Sequence, residues 1–173
     1  MKILVAYFSQ TGNTKQVAEA IHQEMALSND TDLKKIEETG GENFSEYDLV
    51  FVGSPIHAGG LAAQAKGWLE ALPENPAFKL AAFVSHASFA YEKQGFEAGV
   101  QYFDDISKDK HIAYLGCYDC QGRLSPELHA MVQQSQGLSD EAWAEKVAKF
   151  DEHPNAEDEQ KAKDFAKEVL SRG

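Results

Sequence analysis

Residues 9–14 read Ser-Gln-Thr-Gly-Asn-Thr, placing three hydroxyl side chains around one glycine. The hydroxyls of Ser9, Thr11 and Thr14 are donors suited to phosphate oxygens, and Gly12 lets the backbone curl around them. A helix starting at this point adds free N–H groups and the positive end of its dipole. Neutral donors and a helix dipole can hold a phosphate dianion with no lysine or arginine in the loop. The loop is not a Walker loop, because the Gly-Lys-Ser/Thr ending is missing, and it is not a Gly-x-Gly-x-x-Gly dinucleotide fingerprint. The competing reading is a helix N-cap rich in Ser and Thr, with no ligand.

Other residues bear on chemistry less directly. Cys117-Tyr118-Asp119-Cys120 is a Cys-x-x-Cys at the end of a candidate strand. A thioredoxin-type motif opens a helix after an early strand, which does not fit here. A zinc site needs two more ligands, and the spacing of His111 and His129 does not identify them. The two readings left are an accessory redox dithiol and a pair of buried thiols. Arg123 is a cation in an acidic chain, open to a surface ion pair with a carboxylate or to the phosphate of a nicotinamide cofactor. No Gly-x-Ser-x-Gly elbow supports a Ser-His-Asp hydrolase.

The elements that must position these residues are legible in the hydrophobic pattern. Residues 2–8 form a near-continuous apolar run, suited to a strand buried on both faces of a parallel sheet. Val17, Ala18, Ile21 and Met25 then recur at helical spacing. Further strands are expected at 32–36 (an edge, given Lys34 and Lys35), 48–53, 79–85 and 111–116. Helices are expected on the stripes Ala65–Trp68–Leu69–Leu72 and Phe96–Val100–Phe103. Strands alternating with helices mean an α/β fold with a parallel sheet.

The end of the chain departs from this alternation. Ser125-Pro126 starts a short helix that Gly137 closes, Ser139 caps another with the stripe Trp143–Val147–Phe150, and Asn155 caps the last. Residues 117–153 read as a helical insertion before the final helix of a single domain spanning 1–173. The Trp143 stripe suits the buried side of a helix or a dimer face. There is no internal repeat, low-complexity tract or linker.

Tyr7-Phe8-Ser9-Gln10-Thr11-Gly12-Asn13-Thr14, directly after the first strand, resembles the FMN phosphate loop of the flavodoxin family. The resemblance implies a three-layer α/β/α flavodoxin-like fold, with a five-stranded parallel sheet in order 2-1-3-4-5. It implies FMN as cofactor at the carboxyl ends of strands 1, 3 and 4, the switch point of such sheets. Ser9, Gln10, Thr11, Gly12, Asn13 and Thr14 would hold the phosphate. By position, the flavin ring would lie between Ser54-Pro55-Ile56-His57-Ala58-Gly59-Gly60 and Ser85-His86-Ala87-Ser88-Phe89-Ala90-Tyr91. Backbone groups there can read the polar edge of the ring, and Gly59 and Gly60 permit close approach and a peptide flip. Many family members place a Trp in the first loop and a Tyr in the second. Here the first has His57 and the second has Phe89 and Tyr91. Either histidine, His57 or His86, could meet the flavin edge or relay a proton, or be a plain loop residue.

Two functions follow from the resemblance. One is electron transfer between redox partner proteins. The other is an NAD(P)H-dependent quinone or small-molecule reductase, which the sequence Gly-Ser-Pro-Ile-His-Ala-Gly-Gly also resembles. The composition narrows the partners. With 28 Asp and Glu against 16 Lys and Arg, the formal net charge is −12. That argues against nucleic acid and anionic membrane, and favours a redox partner with a basic docking face. Two cysteines make no disulfide framework, no apolar run approaches the ~18 residues of a membrane span, and the N-terminus lacks a signal-peptide pattern. A cytoplasmic protein is expected. The oligomeric state is not legible, and no metal ligand set is.

Overall fold

The apolar run at the N-terminus becomes β1 (Lys2–Tyr7), whose residues Ile3, Leu4, Val5 and Ala6 have no exposure at all. A strand with neighbours on both edges and helices on both faces has no polar side to keep, so alternation disappears from its sequence. The computed structural model describes residues 1–91, without the side chain of Tyr91, and residues 95–172.

Along β1 the period of two sorts side chains between the two faces of the sheet. Ile3, Val5 and Tyr7 join Phe51 and Phe83 against α1 (Asn13–Met25) and the final helix, α7 (Ala156–Arg172). Leu4 and Ala6 join Val50, Val52, Leu80 and Val84 against α2 (Ala63–Ala71) and α4 (Glu97–Asp109). These are the two apolar layers of an α/β/α sandwich.

The parallel strands run in the order β2-β1-β3-β5-β6, the 2-1-3-4-5 arrangement once the two-residue β4 is set aside. β2 (Asp30–Lys35) is the edge strand, which explains why Lys34 and Lys35 are tolerated. β3 (Leu49–His57) extends past the end of β1, whose last partner is Gly53. Beyond it Pro55 and His57 are strand residues, and β4 (Gly60–Leu61) folds back antiparallel onto Ile56 and His57. Gly53 is a steric requirement, since a Cβ there would lie 2.1 Å from the Phe83 ring. β5 is Lys79–His86.

The last strand differs most from expectation. β6 runs Ala113–Gln121 instead of stopping at 116, with a register irregularity opposite Leu80–Ala82 and Gly116 at φ +112°. A bulge of this kind weakens the alternation by which strands are read. The residues 117–121 therefore belong to the sheet. The helical part of the insertion begins later, with a 3-10 turn over Pro126–Leu128, α5 (His129–Gln136) and α6 (Asp140–Asp151). Gly137 closes α5 at φ +63°, and the Ser139 hydroxyl accepts from Ala142 N–H at 3.3 Å, as expected; Ser125 instead precedes the 3-10 turn and caps no N–H, its hydroxyl donating to Glu127.

The insertion packs on a third small core of Ala90, Leu124, Val132, Trp143 and Phe150. Trp143 is 8% exposed and meets the ring edges of His129 and Phe150, so its stripe is filled within the chain and is not a dimer face. Ser88–Tyr91, read as loop from sequence, form the short helix α3. No described helix is long and apolar enough to cross a membrane.

Candidate cofactor site

A cavity of about 940 Å³ opens where the carboxyl ends of β3, β5 and β6 meet the start of α1. Its volume lies in the range of small-molecule and cofactor pockets. The wall brings together the three loops singled out from sequence: Gln10, Thr11 and Asn13; Pro55, Ile56, His57, Ala58 and Gly59; Ser85, His86, Ala87 and Ser88.

At one end lies the start of α1. Gly12 occupies the N-cap position at φ +91°, and no side chain caps the helix. Ser9 Oγ accepts from Gly12 N–H at 3.1 Å, which tightens the turn without satisfying the first turn of the helix. This distinguishes the loop from an ordinary Ser/Thr cap: no side chain satisfies the first N–H groups of α1, and Thr11 and Asn13 at that end line the cavity, so an anion is favoured there. Asn13 is 6% exposed and donates through Nδ2 to the Arg123 carbonyl at 2.8 Å and to Thr11 Oγ1 at 3.2 Å. Its Oδ1 is buried without a hydrogen-bond partner. Such an orphan acceptor is uncommon in a folded protein and fits a ligand hydroxyl.

Not every expected residue reaches the wall. Thr14 is 1% exposed, and its hydroxyl pairs with Ser85 Oγ at 2.7 Å, holding the start of α1 to the end of β5. Ser54 is fully buried: its hydroxyl donates to the Pro55 carbonyl at 2.8 Å and accepts from Ala62 N–H at 3.1 Å, which shapes the first flavin loop from behind. Ser9 and Gly12 act through the backbone turn. Phe89 points away, half exposed, with its ring edge-on to His153 at 5.7 Å. The side chain of Tyr91 lies outside the described residues.

Two histidines reach the wall. His57 is exposed at the rim, and the surrounding protein lowers its pKa by disfavouring the cation. His86 is held on every side: Nδ1 lies 2.8 Å from Ser88 Oγ, Nε2 lies 3.2 Å from Asp119 Oδ2, and the ring stacks on Phe96 at 4.1 Å and 5°. The hydrogen bond from His86 is the largest influence holding the Asp119 carboxyl below its ordinary range. An imidazole fixed in this way presents one orientation to a bound ring system.

Asp119, Phe96 and the stretch from Arg123 to Leu128 belong to the site, or support it, without having been assigned to it from sequence. Phe96, Arg123, Leu124, Ser125, Glu127 and Leu128 are on the wall. The signal for Asp119 was the continuation of β6, which sets Val84 opposite Asp119 and Ser85 opposite Cys120. Cys117 packs on the α2/α4 face of the sheet and Cys120 on the α1/α7 face. Both are free, and burial pushes the thiol pKa up, to about 12 for Cys120. Two thiols on opposite faces of one strand do not form a redox pair, so the accessory dithiol reading is withdrawn. Among the described residues no cluster of His, Cys, Asp and Glu is placed to hold a metal.

Comparison with known proteins agrees with this geometry. A flavodoxin domain model matches residues 4–167. The flavodoxin-like domain-containing protein BilS of Clostridioides difficile (strain CD3) is 31% identical, with 98% of this chain and 97% of BilS covered. An uncharacterized protein of Methanocaldococcus jannaschii is 28% identical, over 98% of this chain and 99% of its own. Among solved structures, oxidised flavodoxin 2 of Bacillus cereus superposes with TM-score 0.69 at 20% identity, all of both chains being covered. The Fusobacterium nucleatum flavodoxin bound to flavin mononucleotide gives 0.66 at 13% identity, covering 99% of this chain and 98% of its own. The chain belongs to the flavodoxin family, and its cofactor is FMN.

The residues present fit that group. The uncapped start of α1 suits a phosphate, the orphan Asn13 Oδ1 suits a hydroxyl of the ribityl chain, and the cleft between residues 55–59 and 85–88 suits a flat ring. FMN, when bound, supplies the reversible redox chemistry that these side chains lack. The protein's part is to orient the cofactor, limit water and set the charge around it.

Proposed function

We propose that this protein carries electrons between redox partner proteins through FMN. The observation that carries the reading is the electrostatic character of the site and its surroundings. The chain bears a net charge of −12, and carboxylates of Glu127 and Asp119 lie on or beside the cavity wall. Such a field steers a basic partner toward the mouth of the cavity and disfavours a polyanionic pyridine nucleotide. The membership of the flavodoxin family supports the same reading.

A second reading, an NAD(P)H-dependent quinone or small-molecule reductase, is favoured by one feature. Gly59 and Gly60 form a small-residue rim beside His57, and among the described residues no large aromatic side chain closes the cleft there.

Anaerobic titration of the FMN-loaded protein separates the two. Stepwise reduction by dithionite should show a long-wavelength absorbance band at half reduction, and NADH or NADPH should leave the flavin oxidised. Bleaching by pyridine nucleotide, with quinone restoring the oxidised spectrum, would replace the carrier by the reductase.

A further inference from the structure

We propose that Arg123 is the countercharge for the FMN phosphate and sets this protein's preference for FMN over riboflavin. The phosphate loop itself carries neutral donors, and the chain as a whole repels a dianion. Among the described residues that line the cavity, Arg123 is nevertheless the one arginine, and no lysine is there.

Its placement is tied to the loop by two independent contacts. The Arg123 carbonyl accepts from Asn13 Nδ2 at 2.8 Å. Gly122 packs so closely that a Cβ there would lie 2.7 Å from the same Nδ2. The exit of β6 is thus fastened to Asn13, the first residue of α1, and the next side chain along is Arg123. Arg123 is exposed and forms no ion pair among the described residues.

Of the two carboxylates equally near in sequence, Asp119 pairs with His86, and Glu127 lies on the wall and receives a hydrogen bond from the Ser125 hydroxyl. It sets the limit of the effect, since it repels the phosphate that Arg123 attracts. The division of labour is chemical. The orphan Asn13 Oδ1 is an acceptor and suits a ribityl hydroxyl; the α1 N–H groups and the guanidinium suit the phosphate.

The test uses apoprotein of the full chain, titrated with FMN and separately with riboflavin, followed by quenching of flavin fluorescence. Arg123→Gln should weaken FMN about tenfold at low salt, with riboflavin changed less than about twofold. Arg123→Lys should keep part of the preference, since it keeps the charge and loses the fork. The difference between wild type and Arg123→Gln should shrink as added salt shortens the screening length below about 10 Å. Inorganic phosphate should compete with FMN more effectively on wild-type apoprotein than on Arg123→Gln. Equal weakening of FMN and riboflavin, or an unchanged FMN affinity, would overturn the proposal. An apoprotein that folds by circular dichroism and binds neither flavin would overturn the cofactor assignment as well.

Discussion

Thr14 Oγ1 and Ser85 Oγ lie 2.7 Å apart and buried, joining the first turn of α1 to the last residues of β5. The bond connects the phosphate end of the site to the loop that carries His86. Two parts of the cofactor site that are 71 residues apart in sequence are thereby held in one geometry.

Removing either hydroxyl should cost about 1 kcal/mol of stability, and removing both should cost little more than removing one. Urea unfolding of Thr14→Ala, Ser85→Ala and the double variant measures that coupling. Thr11 lines the cavity, so Thr11→Ala should weaken FMN while sparing riboflavin. Thr14→Ala should weaken both flavins to a similar degree. Additive losses in the double variant would show that the two hydroxyls do not depend on each other.

The Asp119 carboxyl is held below its ordinary pKa by His86. A depressed carboxyl pKa adds stability above the unfolded value, near ~4, and that stability is lost as pH falls through the folded value. Asp119→Asn should therefore lower stability at pH 7, and the difference from wild type should vanish in acid. The Asp119 side chain is 53% exposed, so screening keeps the effect below about 1 kcal/mol. Denaturation at a series of pH values checks the sign. A difference that grows in acid would contradict this account.

Cys117 and Cys120 should stay silent. Burial keeps both as thiols, and they sit on opposite faces of β6. A thiol-specific disulfide reagent should label neither in the native protein within minutes, and label both in guanidinium. Oxidants that leave the fold intact should produce no intramolecular disulfide by mass spectrometry.

Two glycines should separate folding from binding. At Gly53 an added Cβ would lie 2.1 Å from a Phe83 ring atom in the centre of the sheet, so Gly53→Ala should cost about 3 kcal/mol or prevent folding. At Gly122 the obstacle is the Asn13 side chain, at 2.7 Å. Gly122→Ala should fold and bind FMN poorly, because it displaces Asn13 from the Arg123 carbonyl. Circular dichroism and flavin titration of the two variants distinguish these outcomes.

The small core under the insertion should be a separable unit of stability. Phe150 is fully buried among Trp143, Val132 and Leu124. Phe150→Ala should cost about 3–5 kcal/mol by leaving a cavity. Amide exchange should rise first in α5 and α6, while β1 and β3 keep their protection.

The sequence by itself determined the layers and the phosphate loop. β1 is apolar on both faces, the stripes of α1 and α7 recur at helical spacing, and Ser9–Thr14 leads from the first strand into the first turn of the first helix. These signals are local: each depends on residues within a few positions of one another. The tertiary structure decided which of the loop residues face the cavity, because that depends on partners remote in sequence. Thr14 turns to Ser85, Ser54 to Ala62, and Asn13 to Arg123. It also carried β6 through Cys120 to Gln121, since pairing with β5 holds a strand whose own pattern is broken by a bulge. With that extension Asp119 came beside His86 and Arg123 came beside the phosphate loop. Neither neighbour could be read from spacing, because hydrogen-bond partners across a parallel sheet are set by register, and register is a property of the assembled fold.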